Sequence, residues 1–178
     1  MLAALRAADV RARLVAPALR AAGHHTDEQS LPLSSAMAAP LTPTRPTVQL
    51  RHVLPDGSEH VDWMIAQDPA GHDRLITFRL PRRIDDLAER ETVIAEDIGL
   101  HRPAYLDYEG PVSGGRGEVT RLRRGNVVSW DREADRWVLE VIWSGVASEV
   151  PTRQELRLER RSGRKWRIIA VARERPGD

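Results

Sequence analysis

Two short runs around a tight turn, Thr47–Leu54 and Glu59–Ala66 flanking Pro55-Asp-Gly-Ser58, constrain the fold more than any other part of the chain. The runs favour β-branched and aromatic residues, and the connection carries the residues that turns prefer, so the segment predicts a β-hairpin. The same pattern recurs downstream. Arg74–Leu80 stops at Pro81, and Glu118–Arg123, Val127–Trp130, Trp137–Trp143, Glu155–Glu159 and Lys165–Arg173 are separated by turn signals. Short strands at this spacing predict a mainly β domain, either an antiparallel β-barrel or a sandwich. Ile84–Ile94 alternates acidic and apolar residues at helical spacing and is expected as a short helix. Trp137, Trp143 and Trp166 lie in apolar patterns and are expected in the core.

The domain is expected to occupy residues 47–174, with residues 1–46 as an extension and linker. A length of 178 residues fits one domain plus such an extension. Met1–Ala22 places Leu2, Leu5, Val10, Leu14 and Leu19 at roughly helical spacing, which predicts an amphipathic helix interrupted at Pro17, read as a dispensable extension. His24–Thr47 repeats Pro, Ser and Thr and reads as a flexible linker, so His24 and His25 are not taken as a metal site. No apolar run is long enough to span a membrane, and a cytoplasmic location is the expectation.

No cysteine is present, which excludes disulfides, thiolate zinc sites and cysteine nucleophiles. Any metal must therefore be held by nitrogen and oxygen. Side chains two apart on a strand share a face, so His60, Asp62 and Met64 point together while Val61, Trp63 and Ile65 point the other way. If the hairpin pairs through its turn, His52 lies across from His60 and Asp62, making two imidazoles and a carboxylate that suit manganese or zinc. The plain alternative is a surface hydrogen-bonded His60–Asp62 pair.

Further on, His101-Arg-Pro-Ala-Tyr105-Leu-Asp-Tyr-Glu109-Gly110 runs toward the glycine-rich Ser113-Gly-Gly-Arg-Gly117. His101 suits phosphate binding or proton donation, the Tyr105 hydroxyl can orient the same group, and Arg102 beside His101 is a further catalytic and phosphate-binding candidate. Arg116 is a second phosphate-binding candidate. The glycine loop lacks the Gly-Lys-Ser/Thr of a nucleotide-binding P-loop and reads as a tight turn of positive-φ glycines. The charged side chains are almost all arginine among the basic residues, with Lys165 the only lysine, and arginine's planar fork suits phosphate. Arg121, Arg123 and Arg124 with Trp130 look like a basic aromatic face, but a solvated strand edge explains them as well.

On these motifs the chain resembles the 3'-phosphoesterase module of bacterial ligase D and its stand-alone relatives. That family has a histidine before a His-Tyr-Asp-Phe-Arg-Leu strand, matched here by His52 and by His60-Val-Asp62-Trp-Met64-Ile. Its later Asp-His-Pro-Leu-Asp-Tyr-Ala-Asp-Phe-Glu-Gly is matched in ungapped register from His101 through Tyr105 to Glu109-Gly110. The similarity spans roughly residues 47–174 and is specific at these two motifs. It implies a β-barrel, and phosphate or anion binding at His101 and Tyr105. Two departures stand out: Met64 replaces the family's strand arginine, and Val112-Ser-Gly-Gly-Arg116 replaces its Pro-Glu-Gly-x-Tyr-Gly loop. Arg102 and Arg116 are the candidates to cover for the arginine.

The expected function is a metal-dependent phosphoesterase, with manganese as first candidate, that removes a 3'-phosphate or 3'-ribonucleotide from nucleic-acid ends during DNA repair. A separate ligase or end-joining protein would then act in trans. One alternative is an inactive module that binds nucleic-acid ends or a repair partner. Another is an iron-dependent oxygenase in which His60, Asp62 and His101 form a facial triad.

Overall fold

The computed structural model describes residues 43–144 and 150–171. Nine strands follow one another: β1 Arg45–Val53, β2 Glu59–Ile65, β3 Leu75–Leu80, β4 Thr92–His101, β5 Gly110–Pro111, β6 Glu118–Arg132, β7 Arg136–Trp143, β8 Thr152–Ser162 and β9 Lys165–Ala170. The strands pair antiparallel in the order β1-β2-β3-β4-β9-β8-β7-β6, and β6 pairs back onto β1. Eight strands thus close into a barrel, with the two-residue β5 added along β6. Closure leaves the eight without a free edge.

Strand alternation divides the side chains into an interior and an outer wall. Trp63, Phe78, Trp137, Leu139, Trp143, Leu156, Trp166 and Ile168 belong to one buried cluster that fills the barrel. Trp63 and Trp166 each lie within 6 Å, centroid to centroid, of Phe78. Eight strands enclose just enough room for side chains to fill, and these large rings fill it. The tryptophans expected in the core are there. Two polar residues of β1 also face inward: the Thr47 hydroxyl donates to the Met64 carbonyl and accepts from Trp63 Nε1, and Gln49 accepts from the Ile84 N–H.

The short helix expected over Ile84–Ile94 does not form. Arg90 holds φ at 65°, outside the helical range, and its N–H donates to the Ala170 carbonyl at 2.7 Å. Residues 84–91 make separate turns, Leu87 N to Ile84 O and Glu91 N to Ala88 O, whose apolar residues Ile84 and Leu87 join the interior cluster. Beyond them β4 begins at Thr92, and buried Val93 and Ala95 alternate with exposed Thr92 and Ile94. The mixed spacing was that of turn plus strand. Among the described residues the only helical element is a single 3₁₀ turn, Pro103–Leu106.

Glu118–Arg123 and Val127–Trp130 are one continuous strand, β6, rather than two. Gly125 between them is not a turn residue: a Cβ there would stand 2.7 Å from the Ile142 carbonyl and 2.9 Å from the Trp143 ring. Its arginines are not an exposed edge either, because β6 is paired to β1 and β7. Arg123 is buried against Asp85, while Arg121 and Arg124 donate to the Leu106 carbonyl and engage Glu109 and Asp107. These side chains fasten the 3₁₀ segment to the barrel wall. No helix among the described residues is long and apolar enough to cross a membrane. The helix and linker expected over residues 1–42, with His24 and His25, lie outside the described residues.

Candidate metal centre

The hairpin register decides which polar side chains meet. His52 of β1 stands directly opposite His60 of β2, and Leu50 opposite Asp62. These positions face away from the barrel interior, on the wall where Val48, Leu50, Met64, Leu75, Tyr105, Val112 and Val119 form a second apolar cluster. The chain after β4 runs over this wall, so the polar groups are partly sheltered: the side chains of His52, His60 and Asp62 are 14, 10 and 5% exposed.

One ligand atom from each of these three residues lies within 4.8 Å of the others. His52 Nδ1 is 3.3 Å from Asp62 Oδ2, and His60 Nε2 is 3.3 Å from Asp62 Oδ1. The other nitrogen of His52, Nε2, lies 2.8 Å from the Arg116 carbonyl and must donate to it. In the neutral ring that leaves Nδ1 as an acceptor, pointing its lone pair at a carboxylate oxygen. Only a cation between them, a proton or a metal ion, makes that contact favourable. His60 Nε2 and Asp62 Oδ1 are buried with no hydrogen-bond partner, a condition normally destabilising by about 1–3 kcal/mol per group.

The donor set fits a divalent ion. Metal–ligand bonds of ~2.0–2.2 Å place adjacent ligand atoms roughly 3–3.5 Å apart, close to the two separations to Asp62. A ligating histidine also commonly donates its other N–H to a backbone carbonyl, the role Arg116 plays for His52.

Gly117 makes that carbonyl available. Its φ is +94°, and a Cβ would fall 1.9 Å from the Val53 carbonyl oxygen. Only glycine lets the 113–117 loop come down on the end of β1, and the loop is the positive-φ turn expected, with Gly114 and Gly115 also at positive φ.

The cleft of about 480 Å³ beside these residues is lined by His52, Asp62, Arg79, Ile98, His101 and Arg116, among others. His101 closes β4, and its Nδ1 is buried without a partner. Burial holds its imidazole below the usual histidine range, a shift the Asp62 charge opposes and Arg116 and Arg74 reinforce. The ring is therefore neutral at pH 7. It stands at the cleft but is not one of the three clustered ligands, so the group that forms contains His52 where the facial triad would need His101. Arg116 lies at the rim, its Nε donating to the Ser113 carbonyl at 2.8 Å.

Arg102 and Tyr105 stand elsewhere. They line a neighbouring cavity of about 260 Å³ with Tyr108 and Ser113. Tyr105 packs in the outer-wall cluster, its ring 6.1 Å from that of His101, and the Arg102 guanidinium lies 5.7 Å from the Tyr105 centroid. Met64 is 1% exposed among apolar neighbours.

One residue of the cleft escaped the sequence reading. Arg79 of β3 is the cross-strand partner of Asp62. Alternation puts it on one face with Leu75 and Thr77, but nothing local says which residue of β2 it meets. The sequence matches no family model, and no curated protein matches it.

Proposed function

We propose that this protein is a metal-dependent phosphoesterase acting on 3' ends of nucleic acid, removing a 3'-phosphate or a 3'-terminal ribonucleotide. The observation that carries the reading is the His52–His60–Asp62 group with its unpartnered buried His60 Nε2 and Asp62 Oδ1. The substrate assignment leans on the likeness of this group and of His101–Gly110 to the ligase D phosphoesterase motifs, and a separate ligase or end-joining protein is the partner in trans.

His52, His60 and Asp62 would hold the ion, with manganese the first candidate. Bound there, a divalent ion polarises a phosphoryl oxygen and lowers the pKa of bound water toward neutrality. The chain's own groups do the rest. Arg116 orients His52 through its carbonyl and sets a positive charge at the rim. His101, its pKa lowered by burial, has no hydrogen-bond partner at Nδ1, and in the tautomer that carries the proton there it can hydrogen-bond a phosphate oxygen. Tyr105 packs in the apolar wall near the His101 ring and acts as a positioning residue.

The test is release of 3'-phosphate from a labelled primer–template with manganese, with chelator, and with His60→Ala. Release that needs manganese and disappears in His60→Ala supports the reading. Manganese binding without release sinks the hydrolase and favours a module that binds nucleic-acid ends.

A further inference from the structure

We infer that Arg79 is the oxyanion-binding residue of this cleft, supplying from β3 the positive charge that β2 lacks, and that its ligand is a phosphate group. The inference rests on the metal-site reading above and adds the group that would recognise the anion.

Arg79 is held in register between two carboxylates. Asp62 faces it from β2 and Glu96 from β4. Directly opposed residues of antiparallel strands share a face and are near enough to interact. Arg79 nonetheless pairs with neither. Asp62 is engaged by His52 and His60, and Glu96 by Lys165 at 3.3 Å. Among the described residues the Arg79 side chain has no hydrogen bond or ion pair. Neighbouring arginines of the outer wall are committed differently: Arg116 to Ser113, Arg121 to Glu109 and Arg124 to Asp107.

An exposed arginine usually means nothing more than a solvated surface. Arg79 differs in lining the cleft that holds Asp62, His52 and His101. With a divalent ion beside Asp62, and with Arg79 and Arg116 at the rim, the positive charges outnumber the two carboxylates of the lining, Asp62 and Asp56, and the cleft carries net positive charge. Anions are then drawn in, and a guanidinium fork matches a phosphate by two parallel N–H donors. β2 offers no such group, since Met64, on the Asp62 face two residues on, is buried among apolar side chains.

The test uses the full chain loaded with manganese and titrated with inorganic phosphate in a calorimeter. Wild type, Arg79→Gln, Arg79→Lys and Arg136→Gln are compared; Arg136 begins β7 and lines no part of the cleft. Manganese affinity is measured first in each. Phosphate binding weakened about tenfold or more in Arg79→Gln, partly kept in Arg79→Lys and unchanged in Arg136→Gln, with manganese binding intact throughout, supports the inference. Equal phosphate binding by Arg79→Gln and wild type overturns it while leaving the metal centre standing. So does equal weakening in Arg136→Gln, which would reduce the effect to overall charge. Failure of the wild type to bind manganese removes the metal centre and this inference together.

Discussion

Strand β2 shows the molecule's two regions side by side. Its odd-numbered residues Val61, Trp63 and Ile65 enter the barrel interior, where Trp63 is fully buried and its Nε1 donates to Thr47. Its even-numbered residues His60 and Asp62 face the outer wall, where buried donors and acceptors go without partners. The interior still leaves Trp166 Nε1 unpaired, so saturation is not complete there. The difference lies in chemistry: Trp166 and Trp130, the latter packed against the interior cluster, leave separate indole N–H groups unpaired, whereas His60 and Asp62 leave an imidazole nitrogen and a carboxylate oxygen facing each other at 3.3 Å. The first region holds the fold, and the second gathers three side chains that could hold an ion.

The sharpest way to break this division is to truncate one side chain from each region. Trp63→Ala should cost about 3–5 kcal/mol, the range for emptying an aromatic core site, read from the urea midpoint. His60→Ala, measured with chelator present, should leave stability nearly unchanged, because His60 Nε2 makes no hydrogen bond, only a 3.3 Å approach to Asp62 Oδ1. If His60→Ala destabilises the metal-free protein as much as Trp63→Ala does, the outer histidines are structural and the division fails.

A smaller effect separates the regions by ligand. Manganese at about one hundred times its dissociation constant should stabilise the wild type by ~2.7 kcal/mol, seen as a rise in melting temperature that chelator reverses. Trp63→Phe should keep that rise and His60→Ala should lose it. A rise that persists in His60→Ala would put the ion elsewhere.

The smallest expected effect is a titration. Burial lowers the His101 pKa, so its imidazole resonances should move with a midpoint below the ~6.5 of an unperturbed histidine. The sign of the stability effect follows, since the unfolded ring binds its proton more tightly than the folded one. The contribution of His101 is present above the unfolded pKa and is lost as pH falls through the lower, folded value. A midpoint at or above ~6.5 would mean that Asp62 outweighs burial.

The hairpin and the meeting of His52, His60 and Asp62 were legible because both are local. Strand alternation puts His60 and Asp62 on one face, and a tight turn brings His52 opposite, all within a few residues of Pro55-Asp-Gly-Ser58. The strand run and the core tryptophans were legible for the same reason. Elsewhere locality misled. Ile84 and Leu87 have helical spacing, yet they turn into the barrel interior, and Arg90 at positive φ stops any helix. Gly125 looked like a turn and is instead the space that Trp143 requires.

By itself, then, the sequence determined which faces of which short strands are apolar and which carry histidine and aspartate, because a period of two is written in neighbouring residues. Only the tertiary structure decided that eight strands close into a barrel, that Arg79 stands across from Asp62, and that Arg102 and Tyr105 open onto a separate cavity. Those outcomes depend on register between strands joined by longer loops or lying far apart in the chain. A one-residue slip in such a pairing would turn every outward side chain inward, and no local pattern specifies it.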